Sequence, residues 1–149
     1  MKRHTINPVA WMLGLALLAA GCEDEVPEAM HICRTEWILK SLGPVGAETP
    51  IIANSRVELR FACDDTFSGN SGCNSYSGQF SATDAGDITI GQTAMTEMAC
   101  LDAALMDQEA RYIGALTRVT RFEREDDTLR LYYNGGAEDL YFEVCTDCD

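Results

Sequence analysis

Strict two-residue alternation of apolar and polar side chains, repeated in short runs, constrains this 149-residue chain more than any other feature. In Arg56-Val-Glu-Leu-Arg-Phe-Ala62, Val57, Leu59 and Phe61 fall on one side, with Arg56, Glu58 and Arg60 on the other. Successive side chains of a strand point to opposite faces, so the segment reads as a half-buried strand. Leu129, Leu131 and Tyr133 alternate in Thr128–Asn134, and Leu140, Phe142 and Val144 alternate after the Asn134-Gly135-Gly136 turn. With Arg118–Glu125 and the Asp126-Asp127 turn before them, these runs predict two successive hairpins. Thr35–Leu42 around Trp37 predicts a first strand. Asn74, Tyr76, Gly78 and Phe80 share a face of another, and Asp87–Gly91 supplies a short one through Ile88 and Ile90.

One segment follows helical spacing instead. Asp102 stands as an N-cap, and Leu105, Tyr112, Ile113 and Leu116 then fall on one side. Short strands with a single helix predict a mainly β, α+β fold. The expected architecture is a small curled antiparallel sheet, or β-barrel-like single domain, with the helix packed on it. No internal repeat or low-complexity stretch is present.

At the N-terminus, Lys2 and Arg3 precede an apolar run from Val9 to Ala20. A membrane-spanning helix needs about 20 apolar residues, so this run fits the core of a signal peptide better. It ends Leu18-Ala19-Ala20-Gly21-Cys22 and is followed by acidic Glu23-Asp24-Glu25, which resembles a bacterial lipobox. The expected organisation is a lipoprotein signal peptide over residues 1–21, a lipidated mature N-terminus at Cys22, and an acidic tether over 22–32 carrying Pro27. The folded domain then occupies 33–149. Such a protein belongs in the cell envelope, lipid-anchored, on the periplasmic face of the outer membrane where the organism has one.

Loss of residues 1–21 leaves 128 residues, enough for one domain with a core of its own. Lys2 and Arg3 leave with that segment and no acid does, so the formal charge moves from −13 to −15. A surface that negative repels phosphate backbones, which argues against nucleic acid as a partner. It also lacks a basic patch for anionic lipids, so attachment to the membrane falls to the lipid on Cys22.

Of seven cysteines, six remain after lipidation: Cys33, Cys63, Cys73, Cys100, Cys145 and Cys148. An even number in an exported chain predicts disulfides, with 15 pairings open. A zinc site needs about four ligands at short spacing. Here Cys145-x-x-Cys148 is the one close pair, and His31 is the one histidine past the signal segment, so no metal is expected. A redox Cys-x-x-Cys places its first thiol at a helix N-terminus, whereas this one follows a strand at the chain's last residues; a structural bond is expected.

Catalytic sets lack parts. Ser68, Ser71, Ser75 and Ser77 offer hydroxyls, but a serine nucleophile needs a base, and His4 lies in the signal peptide and His31 in the tether. The serines read as turn and strand-face residues. Asp64-Asp65, Asp84, Asp87, Asp102, Asp107 and Asp126-Asp127 match no spaced calcium loop and read as solvated loops. No enzyme activity and no cofactor are expected. Met95, Met98 and Met106 read as core packing, since methionine fills irregular gaps; exposed, they would form a partner-binding patch.

Gly69-Asn-Ser-Gly-Cys-Asn-Ser-Tyr-Ser-Gly78 and Thr96-Glu-Met-Ala-Cys100 resemble the two signature segments of the META (HslJ-like) domain. The motif positions are Gly72, Cys73, Asn74, Tyr76, Gly78, Thr96, Met98 and Cys100. Trp37-Ile-Leu39, Phe61, Glu109, Leu116 and Leu129-x-Leu131 agree in order, so the resemblance covers residues 34–144. It implies a small β-barrel-like fold with a helix, an envelope lipoprotein associated with stress tolerance, and no established enzymatic activity. It also implies a bond between Cys73 and Cys100. Cys33, Cys63, Cys145 and Cys148 lie outside the signatures, and Cys33 is expected to bond one of the C-terminal pair.

The functional expectation is a non-enzymatic, monomeric envelope lipoprotein with a binding or structural role, its partner an unidentified envelope protein. The alternative is an inhibitor of a secreted hydrolase such as a lysozyme or protease, since a strongly acidic domain would attract a basic enzyme.

Overall fold

The alternating segments become strands in the computed structural model of the chain, which describes residues 32–148. The expected signal peptide, Cys22 and the expected tether through His31 lie outside the described residues. The first half carries β1 (Glu36–Pro44), the short β2 (Thr49–Pro50), β3 (Val57–Phe61), β4 (Thr66–Ser71), β5 (Ser75–Ala82) and β6 (Ile88–Met95). Helix α1 (Ala103–Leu116) follows, then β7 (Arg121–Glu125), β8 (Thr128–Tyr133) and β9 (Glu138–Val144).

The strands form one antiparallel sheet in the order β6-β5-β4-β3-β1-β9-β8-β7, with β2 paired to β1. The sheet is joined across its middle by the two ends of the described chain. In β1, Trp37 stands opposite Leu59 of β3 on one side and Val144 of β9 on the other. Twist accumulates over so many strands, and the sheet curls until its outer strands approach. Asp87, just before β6, forms an antiparallel bridge with Arg121 of β7. The Ile88 N–H donates to the Thr120 carbonyl at 3.1 Å and the Phe122 N–H to the Gly86 carbonyl at 2.8 Å. Those bonds engage edge groups that would otherwise be open to a foreign strand.

The mainly β fold with one helix agrees with the sequence reading, and the differences have local causes. β4 reads Thr-Phe-Ser-Gly-Asn-Ser, poor in strand formers, and exists because it is paired along both edges, to β3 and to β5. β6 continues past Gly91 to Met95 because its partner β5 continues, with a register shift between Gly78 and Phe80. β7 starts at Arg121, since Arg118 and Val119 still hydrogen-bond back to Ala115 and Leu116 at the helix end.

Inward residues of the sheet, among them Trp37, Leu59, Phe61, Leu131 and Phe142, are fully buried. Helix α1 covers them. Its N-cap Asp102 accepts from the Ala104 N–H at 2.8 Å. It buries Tyr112, Ala115 and Leu116 as an apolar face does, and it also buries Gln108 and Glu109 one turn earlier. Leu105 is only partly buried and Met106 is exposed, so the first turn of the buried stripe is polar. None of the helices among the described residues is long and apolar enough to cross a membrane.

Candidate functional site

The polar stripe of α1 meets the turn between β4 and β5. Ser71 ends β4, Gly72 takes a φ of +101° that favours glycine, and Asn74 leads into β5. The Gly72 N–H donates to Asn70 Oδ1 at 2.8 Å, which closes the turn locally. Its interior is then aimed at Glu109. Asn74 donates from its side-chain Nδ2 to Glu109 Oε1 at 2.8 Å and from its backbone N–H to Oε2 at 2.9 Å. The Ser71 hydroxyl also donates to Oε2.

A buried carboxylate this well supplied with donors stays ionised. Burial opposes the charge, but the Ser71 and Asn74 hydrogen bonds outweigh it and hold Glu109 below the usual glutamate value. Its oxygens are occupied by structural donors, so the group is a brace within the fold.

Asn74 is used to capacity. Its Oδ1 accepts from the Met98 N–H at 2.7 Å and from the Thr96 hydroxyl at 2.9 Å, while Nδ2 also donates to the Met98 carbonyl at 3.3 Å. Only one orientation of the amide works, because the Met98 N–H can only donate and the Glu109 carboxylate can only accept. The structure joins Cys73 to Cys100 in a disulfide with Cα atoms 5.9 Å apart. Thus residues 72–78 and 96–100 meet through the Asn74 amide, the hydrogen bonds between Ser75 and Thr96 and one covalent bond, with Glu109 beneath them.

Tyr76 and Gly78 serve the sheet. The Tyr76 hydroxyl donates to the Glu58 carbonyl at 2.6 Å and lies 2.6 Å from the Tyr112 hydroxyl. Having one proton, Tyr76 receives the bond from Tyr112. Burial pushes both phenols well above their ordinary value. A Cβ on Gly78 would stand 2.5 Å from the Gln92 carbonyl and 2.8 Å from the Phe67 ring, so only hydrogen fits there.

Residues 30–144 match the META domain family. The chain belongs to the META domain family. The META fold recurs in a Burkholderia xenovorans protein solved by NMR, at TM-score 0.66 and 21% identity over 97% of this chain and 96% of that one. A second NMR structure matches at TM-score 0.60 and 21% identity, covering 80% of this chain and 94% of its own. A crystal structure of a DUF4847 family protein from Bacteroides vulgatus matches at TM-score 0.56 and 14% identity, with coverages of 75% and 93%. At these identities the likeness is one of fold. No protein of curated function matches the chain.

Around the META signatures the surface departs from the sequence reading in one respect. Met95, Met98 and Met106 are exposed, not packed in the core, and Leu101 between them is fully exposed. The backbone explains it: Met98 is held by Asn74 and residue 100 by Cys73, so the segment is tied down by polar and covalent bonds that leave its apolar side chains outward. Beside it, an open groove of about 710 Å³ runs over the outer face of β3 to β6, lined by Glu58, Ser68, Asn70, Ser75, Ser77 and Thr96. Ser71 is instead buried.

The remaining cysteines also correct the sequence reading. Cys145 and Cys148 are bonded to each other, not to Cys33, because β9 ends beside Glu36 and the last residues turn back at once. Arg56 lays its guanidinium against both of their sulfurs. Cys145, Asp147 and Cys148 lie close together, but the bond consumes both thiols and leaves no thiolate set for a metal.

A second buried carboxylate lies away from the signatures. Asp139 of β9 is fully buried under Arg130, whose Nη1 donates to Asp139 Oδ2 and also to Glu48 Oε1 at 3.1 Å. Among the described residues its Oδ1 has no hydrogen-bond partner. Burial raises Asp139 more than Arg130 lowers it. No short motif marks this carboxylate, whose burial follows from the pairing of β9 with β1 and β8.

Proposed function

We propose that this META protein is a lipid-anchored envelope lipoprotein that works by binding a partner protein, in support of envelope stress tolerance, and not by catalysis. One observation carries the reading. Among the described residues, five large apolar side chains are exposed, and four of them, Met95, Met98, Leu101 and Met106, fall between β6 and the first turn of α1. Isolated exposed apolar residues are ordinary, but several on one fastened segment suit a contact surface. Methionine side chains adapt to varied apolar partners at little cost. The segment is held by the Asn74 amide and the Cys73–Cys100 bond, so little ordering remains to be done on binding. Glu109, the buried carboxylate of α1 beneath the signatures, is engaged by Ser71 and Asn74 and serves as a brace. The lipobox at Cys22 supports the anchor.

The test immobilises the domain from Glu23 onward, with disulfides intact, beside a Met98→Lys, Leu101→Lys variant. Envelope extract and purified lysozymes pass over both at physiological salt. Proteins kept by the natural domain and lost by the variant support a binding role at this segment. Equal retention by both removes it. A lysozyme that is retained and loses activity would favour hydrolase inhibition, to which a formal charge of −13 for the whole chain is suited. Mass spectrometry of the membrane-extracted protein checks the anchor separately: a diacylated Cys22 is expected, and an unmodified one removes it.

A further inference from the structure

The chain enters the domain at a fixed point. Cys33 forms a parallel bridge with Phe61, and the Arg34 N–H donates to the Phe61 carbonyl at 2.9 Å. Next to it Ile32 is fully buried, its carbonyl accepting from Trp37 Nε1 at 3.3 Å. Phe61 is the last residue of β3, so Cys63 follows two positions later in a tight turn. There the Ala62 N–H donates to the Thr66 carbonyl at 2.8 Å, and Asp65 takes a φ of +63°. Both cysteines are thus held by backbone bonds in the same corner of the sheet.

Cys33 is half-buried and Cys63 exposed, and the Cys63 thiol lies near enough to act on that of Cys33. Burial first, and then the neighbouring thiol, push Cys33 up to about 11; Asp65 adds to this and Arg34 opposes it. Cys33 is therefore a poor lone nucleophile near neutral pH, and Cys63 is the sulfur that an outside reagent meets first. Neither belongs to the META signatures, and neither has a role in the binding reading above.

We propose that Cys33 and Cys63 are a redox pair that closes to a disulfide, fastening the entry of the domain to the end of β3. Closure proceeds by exchange with an oxidant that is itself a disulfide, such as oxidised glutathione or a disulfide-carrying oxidoreductase. The Cys63 thiolate attacks one sulfur of the oxidant, whose S–S bond breaks and releases its other sulfur as a thiolate. Cys33 then loses its proton and attacks Cys63 Sγ, expelling the second oxidant sulfur. The two cysteine protons go to the two released thiolates, and two electrons pass to the oxidant, which becomes two thiols. The loop so closed would hold the part of the chain that leads into the sheet, where any pull from an N-terminal anchor arrives.

The full-length chain, purified without reductant and equilibrated in a glutathione redox buffer, is blocked with iodoacetamide and digested without reduction. Trypsin cuts after Arg34 and Arg60, and cleavage before Asp24 and Asp64 completes two small peptides, residues 24–34 and 61–63. The expected product is these two peptides joined through Cys33 and Cys63, with neither cysteine alkylated. Alkylation of both, in protein whose Cys73–Cys100 bond is intact, would overturn the proposal. A bond from either one to Cys145 or Cys148 would overturn it equally.

Discussion

Asn74 and Glu109, 35 residues apart, clasp each other with a side-chain bond of 2.8 Å and a backbone bond of 2.9 Å. The pair joins the β4–β5 turn to the buried stripe of α1, and through Met98 it also fixes the segment entering the helix. It accounts for a polar cluster at the centre of the META signatures. A carboxylate charge is kept inside the fold because donors from two elements surround it.

Asn74→Ala removes two of the side-chain donors' bonds and two acceptor bonds while leaving the Glu109 charge in place. The expected loss is about 2–4 kcal/mol of unfolding free energy, larger than for an ordinary surface substitution. Urea denaturation checks it; a change near zero would mean that the amide is not the joint between the signatures.

The two buried carboxylates respond to acid with opposite signs. Glu109 titrates below its ordinary value in the folded state, so its contribution is present above the unfolded value and is lost as pH falls through the folded one. Asp139 titrates above its ordinary value, so the folded state takes up that proton first and gains stability relative to the unfolded chain as pH falls. Glu109→Gln is expected to flatten the acid-side loss of stability, and Asp139→Asn to steepen it. Urea midpoints between pH 3 and pH 7 decide.

Hydroxyl order in the Tyr76–Tyr112 pair predicts unequal losses. Tyr76→Phe takes the donor from the Glu58 carbonyl and leaves the buried Tyr112 proton without its acceptor. A cost of about 2–3 kcal/mol is expected. Tyr112→Phe removes a donor that Tyr76 can spare, and about 1 kcal/mol is expected. Equal costs, read from thermal or urea unfolding of the two variants, would reverse the direction of that bond.

Glycine substitutions separate close approach from helix propensity. A Cβ on Gly69 would lie 2.0 Å from the Glu58 carbonyl and 2.4 Å from the Tyr76 hydroxyl, so Gly69→Ala is expected to prevent folding or cost more than about 3 kcal/mol. Gly114, inside α1, has nothing within 4 Å of its added Cβ. Gly114→Ala is expected to stabilise by about 0.5–1 kcal/mol. Calorimetry of both variants tests the pair.

Local pattern was a sound guide wherever a side chain's face is set by its neighbours in sequence. Val57, Leu59 and Phe61 lie inside, as do Leu129, Leu131 and Leu140, because a strand's period of two leaves no other choice once one face is buried. Helix α1 follows its N-cap and apolar spacing through Tyr112 and Leu116, yet the same spacing cannot show that Gln108 and Glu109 turn inward. The resemblance includes both Asn74 and Glu109 without saying that they meet. The methionines escaped in the other direction: apolar residues read as core when nothing local shows that polar bonds hold their backbone at the surface.

By itself, then, the sequence determined the alternating strands, the single helix and membership of the META family, because alternation, capping and the two signature segments are properties of adjacent residues; β2 and β4, which no alternation marks, come from pairing. Only the tertiary structure decided which polar groups are buried and where Cys33 and Cys63 lie. Both depend on β1 lying between β3 and β9, a pairing of distant segments that sets Cys33 beside Phe61, two residues before Cys63.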